Sequence, residues 1–446
     1  MYSLAIIGGG PAGYVAAEKA ARAGMSVVLF EGRELGGVCL NEGCIPTKTL
    51  LYSAKMLDQA RHADRYGIVV EGLQPDYPAI LKRKEKVVKK LVGGIRVRMR
   101  NAAVEVVKAE ASIIGPIDGG FALEAGEERY EASRLLVCTG SEAAVPPIPG
   151  LAESDAVVTN REILALPEIP QRLVIIGGGV IGMEFASFFQ SMGSEVTVIE
   201  MLPKILGPLD DEISSMLQAQ YAKKGVQFFL GCKVTGIDGH TVLYETPYGE
   251  ACQAFGDKIL LSVGRRARIK GFGLETLGVE VQRGIVVNER METSVPGVYA
   301  AGDVTAFSML AHTASREAEV AVDNMLGHSS VMRYDAIPSI VYTNPEVAGV
   351  GLTEQEAGPD IRVLKLPMAY SGRFVAENER GEGLCKVLVD AAGKVRGVHM
   401  LGNPCSEIIV AAAIAVEKGL TVPELLDVVW PHPTVGEVLK ETLGTV

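Results

Sequence analysis

The sequence of 446 residues lacks the features that would point to a membrane or to nucleic acid. It has no run of about 18 consecutive apolar residues, which a membrane-spanning helix requires. Its N-terminus leads into an apolar segment without the basic region that opens a signal peptide. The formal net charge is -11, whereas a nucleic-acid-binding surface needs an excess of basic residues. We therefore expect a cytoplasmic protein that has neither a membrane nor nucleic acid as a partner.

Cysteine is also scarce outside one short segment. The chain has seven cysteines, and those scattered without a pairing pattern are Cys138, Cys232, Cys252, Cys385 and Cys405. Isolated cysteines in a reducing compartment are usually small buried hydrophobic residues. We predict that role for all of these scattered cysteines, so Cys39 and Cys44 need a separate explanation.

A repeated glycine motif indicates how the chain is organised. The pattern Gly-x-Gly-x-x-Gly occurs at residues 8–13, the first fingerprint, and at residues 177–182, the second fingerprint. Each fingerprint follows an apolar β-type run, opens a helical segment and leads to a second β-type run that ends in an acid. This unit is typical of doubly wound nucleotide-binding domains. A chain of this length is expected to form about two to four domains, and the repeat predicts two of this kind.

The glycines of the two fingerprints form pairs, each with its own physical task. The first pair permits a tight turn, the second lacks the Cβ that would block a diphosphate, and the third lets helix and strand pack closely. In this order the pairs are Gly8 with Gly177, Gly10 with Gly179, and Gly13 with Gly182. A diphosphate would then lie against the N–H groups of a helix N-terminus.

The acid that ends each unit lies 18 positions beyond the last glycine of its fingerprint. A carboxylate at this point accepts hydrogen bonds from ribose hydroxyls, so we predict that role for Glu31 and Glu200. Residues 201–203, which follow Glu200, include no arginine. Because an acid repels a 2′-phosphate, the second fingerprint predicts NAD rather than NADP.

Cys39 and Cys44 stand five positions apart, downstream of the first fingerprint. Five residues of regular helix rise about 7.5 Å, whereas the Cα atoms of a disulfide lie within about 7 Å of each other. Cys39 must therefore lie in a turn or a distorted first helical turn, which Gly36, Gly37 and Gly43 permit. A helix N-terminus would also lower the thiol pKa. The spacing leaves a redox disulfide, two unrelated core cysteines and part of a metal site as open interpretations.

The cysteine segment, Gly-Gly-Val-Cys-Leu-Asn-Glu-Gly-Cys-Ile-Pro-Thr-Lys at residues 36–48, resembles the active-site segment of the pyridine nucleotide-disulfide oxidoreductases. Within that family it is most similar to the branch that oxidises dihydrolipoamide. The resemblance covers essentially the whole chain, and further matching segments are residues 136–140, 263–266, 293–303, 337–346 and 431–437. It implies an α/β fold with two Rossmann-like dinucleotide-binding domains and a C-terminal α+β dimerisation domain.

The resemblance also implies the cofactors and the domain boundaries. Residues 1–145, completed by about 272–331, would bind FAD, residues 146–271 would bind NAD, and residues 332–446 would form the interface of a homodimer. Lys48 would lie by the flavin and pair with Glu184. The other cofactor contacts that it implies are Ala111, Thr139, Gly140, Asp303 and Ala311 around FAD, and Val234 and Gly264 around NAD. It implies no metal ion.

The activity that the resemblance implies is oxidation of protein-bound dihydrolipoamide to lipoamide with reduction of NAD. The dithiol would arrive on a lipoyl domain or lipoylated carrier protein of a multienzyme complex. Cys39 would exchange with the substrate and Cys44 would face the flavin. His432 would act as the acid/base, oriented by Glu437 and supplied across the dimer interface. The alternatives are a related NAD(P)H-dependent disulfide or metal-ion reductase and a docking component of a multienzyme complex.

Without the resemblance, Glu437 has a second interpretation. Residues 434–437 read Thr-Val-Gly-Glu, which fits the capping-box pattern of Ser or Thr followed three positions later by Glu. Glu437 would then cap a C-terminal helix, and His432 would have no catalytic role. Both interpretations are open at the level of the residues.

A long basic stretch with helical character runs from Tyr77 to Arg100. Its densest part contains Lys82, Arg83, Lys84, Lys86, Lys89 and Lys90 together with Glu85. Such a run is most simply a solvated helix face. A docking surface for an acidic partner is the alternative.

Overall fold

The structure, a computed structural model, describes residues 1–378 and 381–445. The chain divides into two compact units. The first unit consists of Met1–Thr49, Ala79–Ala144 and Gly264–Arg333. The second unit consists of Leu50–Pro78, Val145–Val263 and Tyr334–Val446. The division into three domains that the resemblance implies remains a prediction.

The first unit is built on a parallel sheet whose central strand leads into the first fingerprint. In spatial order its strands are Val298–Ala300, Leu135–Val137, Leu4–Ile7, Val27–Phe30 and Glu105–Val107. Every residue of Leu4–Ile7 and of Val27–Phe30 is apolar and buried, as expected where both faces of a parallel sheet are covered. These two strands run in parallel register, with Ile7 opposite Phe30. The fingerprint turn and the acid that follows Phe30 therefore lie at the same edge of the sheet.

The rest of the first unit consists of two small antiparallel sheets and of helices. The larger sheet contains Ala111–Ile117, Gly120–Ala125 and Glu128–Ala132, and the smaller pairs Ser141–Ala143 with Arg265–Ala267. The helices are Pro11–Arg22, Gly37–Glu42, Cys44–Arg61, Tyr77–Asn101 and Ala311–Met325, of which Cys44–Arg61 and Tyr77–Asn101 extend into both units. The helix predicted from Tyr77 to Arg100 is confirmed. No helix in the described ranges is both long and apolar enough to cross a membrane.

The second unit repeats the arrangement around the second fingerprint. Its parallel sheet has the order Gln227–Leu230, Glu195–Glu200, Arg172–Ile176, Lys258–Leu261 and Val157–Val158. The helices that accompany it are Asn160–Ile163, Val180–Met192 and Asp211–Lys223, and an antiparallel sheet follows with Lys233–Asp238, Thr241–Glu245 and Ala251–Phe255. Ile176 pairs with Ile199, as Ile7 pairs with Phe30. The duplicated strand–turn–helix–strand unit is confirmed.

The C-terminal part of the second unit is an antiparallel sheet covered by helices. Its strands in spatial order are Ser339–Val341, Val347–Gly351, Val395–Leu401, Leu384–Val389 and Arg362–Pro367. The helices are Gly372–Glu377, Cys405–Lys418, Val422–Leu426 and Glu437–Leu443. The predicted α+β character is confirmed, and the helix that begins at Val422 ends at Leu426. The β-branched Val428 and Val429 that follow are poor helix formers.

The scattered cysteines are largely where they were predicted. Those buried in the structure are Cys138, Cys232, Cys385 and Cys405, and all of them are free thiols. The prediction is wrong for Cys252, which is partly exposed. This residue lies on Ala251–Phe255, an outer strand of a three-stranded sheet, where one side of the strand has no neighbouring strand to cover it.

The second unit also contains a cluster of charged residues around a buried lysine, which no sequence pattern predicted. The side chain of Lys386 is fully buried, and its Nζ lies 2.7 Å from Asp210 Oδ1. The same Nζ lies 2.8 Å from Glu212 Oε2 and 2.5 Å from Glu354 Oε2. Asp210 in turn caps the helix Asp211–Lys223, since its Oδ1 accepts two of the first N–H groups at 3.2 Å. This cluster joins the start of that helix to the C-terminal sheet.

Candidate active site

The first fingerprint forms a sharp turn between the strand Leu4–Ile7 and the helix Pro11–Arg22. Gly8 has φ +105°, and a Cβ at this position would lie 2.2 Å from a neighbouring carbonyl oxygen. A Cβ on Gly13 would lie 1.8 Å from the carbonyl oxygen of Gly8, so the helix and the turn are in direct backbone contact. A Cβ on Gly10 would come no closer than 3.8 Å to another segment, at the Cα of Gly37, so there is room beside this glycine.

The second fingerprint repeats this geometry in the second unit. Gly177 has φ +104°, and a Cβ on Gly182 would lie 2.1 Å from the carbonyl oxygen of Gly177. Apart from its own chain neighbours, no described residue has an atom within 4 Å of a Cβ built on Gly179. Each fingerprint is therefore closed at its first and last glycines and open at its middle glycine, where the sequence predicts a diphosphate.

The acids Glu31 and Glu200 lie beside the two glycine turns. Glu31 accepts the N–H of Gly9 on Oε2 at 2.8 Å and the N–H of Arg33 on Oε1 at 2.7 Å. Glu200 accepts the N–H of Gly178 on Oε2 at 2.6 Å, and Oε1 accepts a second backbone N–H at 2.7 Å. These hydrogen bonds fix both carboxylates in place. Each oxygen keeps a second lone pair with which it can accept a hydrogen bond from a ribose hydroxyl.

Both fingerprints fit a dinucleotide. Within the described residues, no side chain caps the N-terminus of Pro11–Arg22 or of Val180–Met192. The first N–H groups of each helix are therefore available to a diphosphate, which the helix dipole also favours. In the first unit a cavity of about 560 Å³ lies beside Glu31 and is lined further along by Leu35 and Val104. This volume is in the range of ligand pockets.

Cys39 and Cys44 lie on two consecutive helices rather than on one. Cys39 is in the first turn of the short helix Gly37–Glu42, and Cys44 begins the long helix Cys44–Arg61. Gly43 separates the two helices with φ -147° and ψ -105°, which is not a helical conformation. The predicted interruption of the helix is confirmed, and it brings the two cysteines close to the separation of a disulfide.

The short helix that carries Cys39 packs directly on the first fingerprint. Gly37 has φ +57°, and a Cβ at this position would lie 2.7 Å from the Cα of Gly10. The N–H of Gly36 donates to the carbonyl oxygen of Gly9 at 2.8 Å. Any side chain at position 37 would push the two segments apart. The thiol pair and the open side of the nucleotide turn are therefore held together by backbone contact.

The two thiols are hydrogen-bonded to each other. This hydrogen bond, followed by burial and the charge of Cys44, raises the pKa of the Cys39 thiol. The Lys48 ammonium acts in the opposite direction, whereas the Asp303 carboxylate adds to the increase. The partner thiol and burial therefore act on the pKa of Cys39 in the direction opposite to the lowering expected from a helix N-terminus. The contact argues against two unrelated core cysteines.

Asp303 belongs to a polar cluster of which only some members were predicted from the sequence. Its carboxylate accepts a hydrogen bond from the Ser141 hydroxyl, and Arg265 Nε lies 4.0 Å from Asp303 Oδ2. The Arg265 guanidinium also donates to the hydroxyl of Ser141 at 2.7 Å and to its carbonyl oxygen at 2.9 Å. Burial raises the pKa of Asp303 despite these partners. Ser141 was missed, although it directly follows the predicted pair Thr139 and Gly140.

The remaining residues predicted around FAD all lie in the first unit. Ala111 begins the strand Ala111–Ile117 and is buried. Thr139 donates from Oγ1 to the carbonyl oxygen of Arg268 at 2.7 Å, and Gly140 has φ +70°. Ala311 begins a helix whose N-terminus has no side-chain cap in the described ranges. A second helix N-terminus is thus available to a ligand on this unit.

The residues predicted around NAD are divided between the two units. Val234 lies on the strand Lys233–Asp238 of the second unit, whereas Gly264, with φ +118°, begins the last segment of the first. Glu184 is buried on the helix of the second fingerprint and accepts the N–H of Tyr342 on Oε1 at 3.1 Å. Its pairing with Lys48 would join the two units and remains a prediction.

His432 and Glu437 are brought together in the second unit. The Nδ1 atom of His432 lies 3.0 Å from Glu437 Oε1, and the imidazole is 79% exposed. Glu437 Oε2 also accepts the N–H of Thr434 at 2.8 Å, whereas the Thr434 hydroxyl donates to Pro431. The hydrogen bond from Thr434, followed by that from His432, lowers the pKa of Glu437. Glu437 thus makes both predicted contacts. It accepts a backbone N–H as the glutamate of a capping box does, and it binds the imidazole of His432.

Tyr14 is a further residue at the thiol pair that the sequence did not single out. Burial raises its pKa, and the nearby thiols of Cys39 and Cys44 add to the increase. The Arg98 guanidinium lies 5.5 Å from the centre of the tyrosine ring and acts in the opposite direction. The sequence feature that could have identified Tyr14 is its position one helical turn after Gly10, on the first turn of the fingerprint helix.

Two nucleotide turns and a close thiol pair packed on one of them define a nucleotide-dependent thiol oxidoreductase. Residues 2–318 match the family described as pyridine nucleotide-disulphide oxidoreductase, and residues 337–443 match its dimerisation domain. The chain belongs to this family, which uses FAD and NAD, and is an oxidoreductase.

Individual relatives agree with this assignment over nearly the whole chain. A dihydrolipoyl dehydrogenase of Thermus scotoductus is 40% identical, covering 99% of this chain and 96% of the relative. Among solved structures, LpdA of Mycobacterium tuberculosis is similar with a TM-score of 0.90 at 26% identity, covering 99% of each chain. The flavoprotein disulfide reductase RclA of Escherichia coli has a TM-score of 0.87 at 28% identity, covering 100% of each chain.

The dimerisation-domain match supports a homodimer. Large apolar side chains are exposed on the surface of the same region. Val410 and Ile414 stand one turn apart on the helix Cys405–Lys418 and are more than half exposed. Val429, after the next helix, is 92% exposed. Large apolar side chains exposed together on one region mark a protein–protein interface.

Proposed function

We propose that this chain oxidises protein-bound dihydrolipoamide to lipoamide and reduces NAD. The observation that carries the proposal is the hydrogen-bonded pair Cys39 and Cys44, packed on the first fingerprint through Gly37. The full-length similarity to proteins named dihydrolipoyl dehydrogenase supports this choice of dithiol. The isolated cysteines are free thiols, as is usual in a reducing compartment, which supports a cytoplasmic location.

The proposal assigns one cofactor to each fingerprint. Residues 1–145, with about 272–331, hold FAD through the first fingerprint, Glu31 and the uncapped helix at Ala311. Residues 146–271 hold NAD through the second fingerprint and Glu200, and residues 332–446 form the dimer interface. When bound, FAD takes two electrons from the reduced cysteines and passes them to NAD.

The chain's own residues account for the exchange with substrate. His432 removes a proton from one substrate thiol, and the resulting thiolate attacks the sulfur of Cys39 in the Cys39–Cys44 disulfide. The disulfide bond breaks and Cys44 leaves as a thiolate. The second substrate thiol then attacks the substrate sulfur bound to Cys39 and gives its proton to the departing Cys39 thiolate, which forms the substrate disulfide and releases the Cys39 thiol. The substrate dithiol is oxidised, both cysteines are reduced, and the base returns its proton to solvent.

Glu437 positions the base in this scheme. Its Oε1 atom accepts the hydrogen bond from His432 Nδ1, which leaves Nε2 free of a proton and directed away from the glutamate. Its Oε2 atom is anchored by the N–H of Thr434. The proposal requires His432 to be supplied by the partner subunit across the dimer interface.

We expect His432→Gln to lower the turnover of dihydrolipoamide by about 10²–10⁴-fold, the range in which a general base contributes. Glu437→Gln should cause a smaller loss, because its amide oxygen can still accept the Thr434 N–H while its bond to the imidazole weakens. Because His432 is largely exposed, neither thermal stability nor NADH oxidation by an artificial electron acceptor should change. Stopped-flow and steady-state assays of both reactions make the comparison. Equal losses in both reactions would assign His432 a structural role instead.

The proposed activity is tested with the purified flavoprotein and free dihydrolipoamide plus NAD. The same preparation is assayed with glutathione disulfide and with Hg(II), each with NADH and with NADPH, to compare the related reductase activities. We expect rapid NAD reduction by dihydrolipoamide and little turnover in the other assays, with NADPH disfavoured by Glu200. The proposal fails if dihydrolipoamide is oxidised more slowly than one of the alternative substrates is reduced.

A further inference from the structure

Four lysines form an exposed basic face on the helix Tyr77–Asn101. Lys82, Lys86, Lys89 and Lys90 are all exposed, and residues three, four, seven and eight positions apart lie on the same side of a helix. The chain as a whole carries a net charge of -11, so this face has the opposite sign to the average surface. We call these four residues the lysine face.

The lysine face differs from the other basic residues of the same helix. Arg96 pairs with Glu34, and Arg98 pairs with Glu18, so these arginines serve the packing of the helix. Within the described part of the chain, the four lysines form no ion pair with an acidic residue. Like charges one helical turn apart destabilise a helix. Glu85 is the one acid on this side of the helix, so the face keeps a net positive charge that internal packing does not use.

The helix that carries the lysine face is hydrogen-bonded to the helix that begins at Cys44. Arg83 Nη1 donates to the carbonyl oxygen of Thr49 at 2.9 Å. The hydroxyl of Thr49 donates to the carbonyl oxygen of Ile45 at 2.8 Å, in the first turn after Cys44. Arg83 stands between Lys82 and Lys86 in the sequence, so the face lies on a rigid element bonded to the redox helix.

We infer that the lysine face docks an acidic protein domain that carries the dithiol substrate. The inference rests on the proposed function, because a protein-bound dithiol brings its carrier to this enzyme at every turnover. Complementary charge on a rim surface mainly accelerates association and orients the partner, and it is weakened by salt. A free dithiol of low molecular weight carries no such domain and does not use the face.

The test compares two variants with the same change in net charge. In the first, Lys82, Lys86, Lys89 and Lys90 are all replaced by glutamine. In the control, four exposed basic residues from other parts of the chain are replaced by glutamine: Arg65, Lys270, Arg283 and Arg362. The probes are a reduced lipoyl domain with a net negative charge and free dihydrolipoamide, each assayed at low and at high ionic strength.

We expect the KM for the acidic domain to rise roughly tenfold at low ionic strength in the lysine-face variant and to stay near wild type in the control. The difference should shrink at high salt, and the kinetics with free dihydrolipoamide should be the same in all three proteins. Equal KM values in the two variants would overturn the inference. If free dihydrolipoamide is not oxidised by wild type, the proposed function fails on separate grounds.

Direct binding of the oxidised lipoyl domain, measured by calorimetry, judges the docking surface independently of turnover. Weaker binding by the lysine-face variant alone supports the inference, and equal binding by both variants contradicts it. Size-exclusion chromatography with light scattering is run on all three proteins. A lysine-face variant that loses its dimer while the control keeps it would show that the face is an interface between copies of this chain, which also overturns the inference.

Discussion

A Cys44→Ser variant is expected to lose dithiol-dependent NAD reduction by at least about 10³-fold, because a serine hydroxyl cannot form the disulfide that the exchange requires. The packing at this site should survive the change. Cys44 begins its helix, and serine is well tolerated at a helix N-terminus. The rate of NAD reduction with dihydrolipoamide is the measurement, made on protein that retains its flavin.

Cys252→Ser is the matched control for this prediction. Cys252 is also a partly exposed free thiol, but it lies on an outer strand of the second unit and belongs to neither fingerprint. We expect this variant to keep wild-type turnover. Cys44→Ser should still oxidise NADH with an artificial electron acceptor, since that reaction does not need the thiol pair. Normal dihydrolipoamide turnover by Cys44→Ser would refute the proposed exchange.

The second large effect is expected from Lys386→Met, which should destabilise the second unit by about 3–5 kcal/mol. Lys386 is fully buried, and its ammonium is the shared partner of Asp210, Glu212 and Glu354. Methionine fills a similar volume but leaves the buried Asp210 carboxylate without its cation. Urea unfolding followed by circular dichroism should show the loss as a lower transition midpoint.

Lys365→Met is the matched control, because Lys365 touches two of the same carboxylates from the surface. Its Nζ lies 2.8 Å from Glu212 and 2.8 Å from Glu354, but its side chain is 35% exposed. Exposed ion pairs contribute about 0–1 kcal/mol, so this variant should unfold near the wild-type midpoint. Similar losses of stability in the two lysine variants would mean that burial does not increase the contribution of Lys386 to stability.

The loss caused by Lys386→Met is also expected to depend on pH. Burial alone would raise the pKa of Asp210, but the hydrogen bonds from Lys386 and from backbone N–H groups hold it below its ordinary value. In wild type this stabilisation is complete above the ordinary carboxyl pKa and disappears as the pH falls through the lowered one. Without Lys386, burial raises the pKa of Asp210. The difference between variant and wild type should therefore be largest at neutral pH and shrink as Asp210 becomes protonated.

Local patterns predicted the elements whose conformation is set by nearby residues. The glycine spacing, the apolar runs and the terminal acids identified both nucleotide units, because a tight turn between a buried strand and a helix needs those residue types in that order. The spacing of Cys39 and Cys44 also predicted a broken helix, since a continuous one would hold the two residues too far apart.

Contacts between distant parts of the chain left no such signal. Lys386 is 176 residues from Asp210, and alternating strand residues do not indicate which charged side chain will be buried. The raised pKa of Cys39 could not be predicted in full either, because burial and the Asp303 carboxylate, which lies far away in the sequence, add to the effect of the Cys44 hydrogen bond. The strands Val347–Gly351 and Arg362–Pro367 have no clear strand pattern in the sequence, because glycine, lysine and proline interrupt them.

The contact between Gly37 and Gly10 determines how steadily the thiol segment is held against the nucleotide turn. Side chains change rotamer on the picosecond to nanosecond scale, and a spacing set by side chains would fluctuate with them. Here no side chain stands between the two backbones, and a Cβ at position 37 would fall 2.7 Å from the Cα of Gly10. The spacing is therefore set by the backbone and not by side-chain rotamers. We therefore expect temperature and repacking of the surrounding core to change this spacing little.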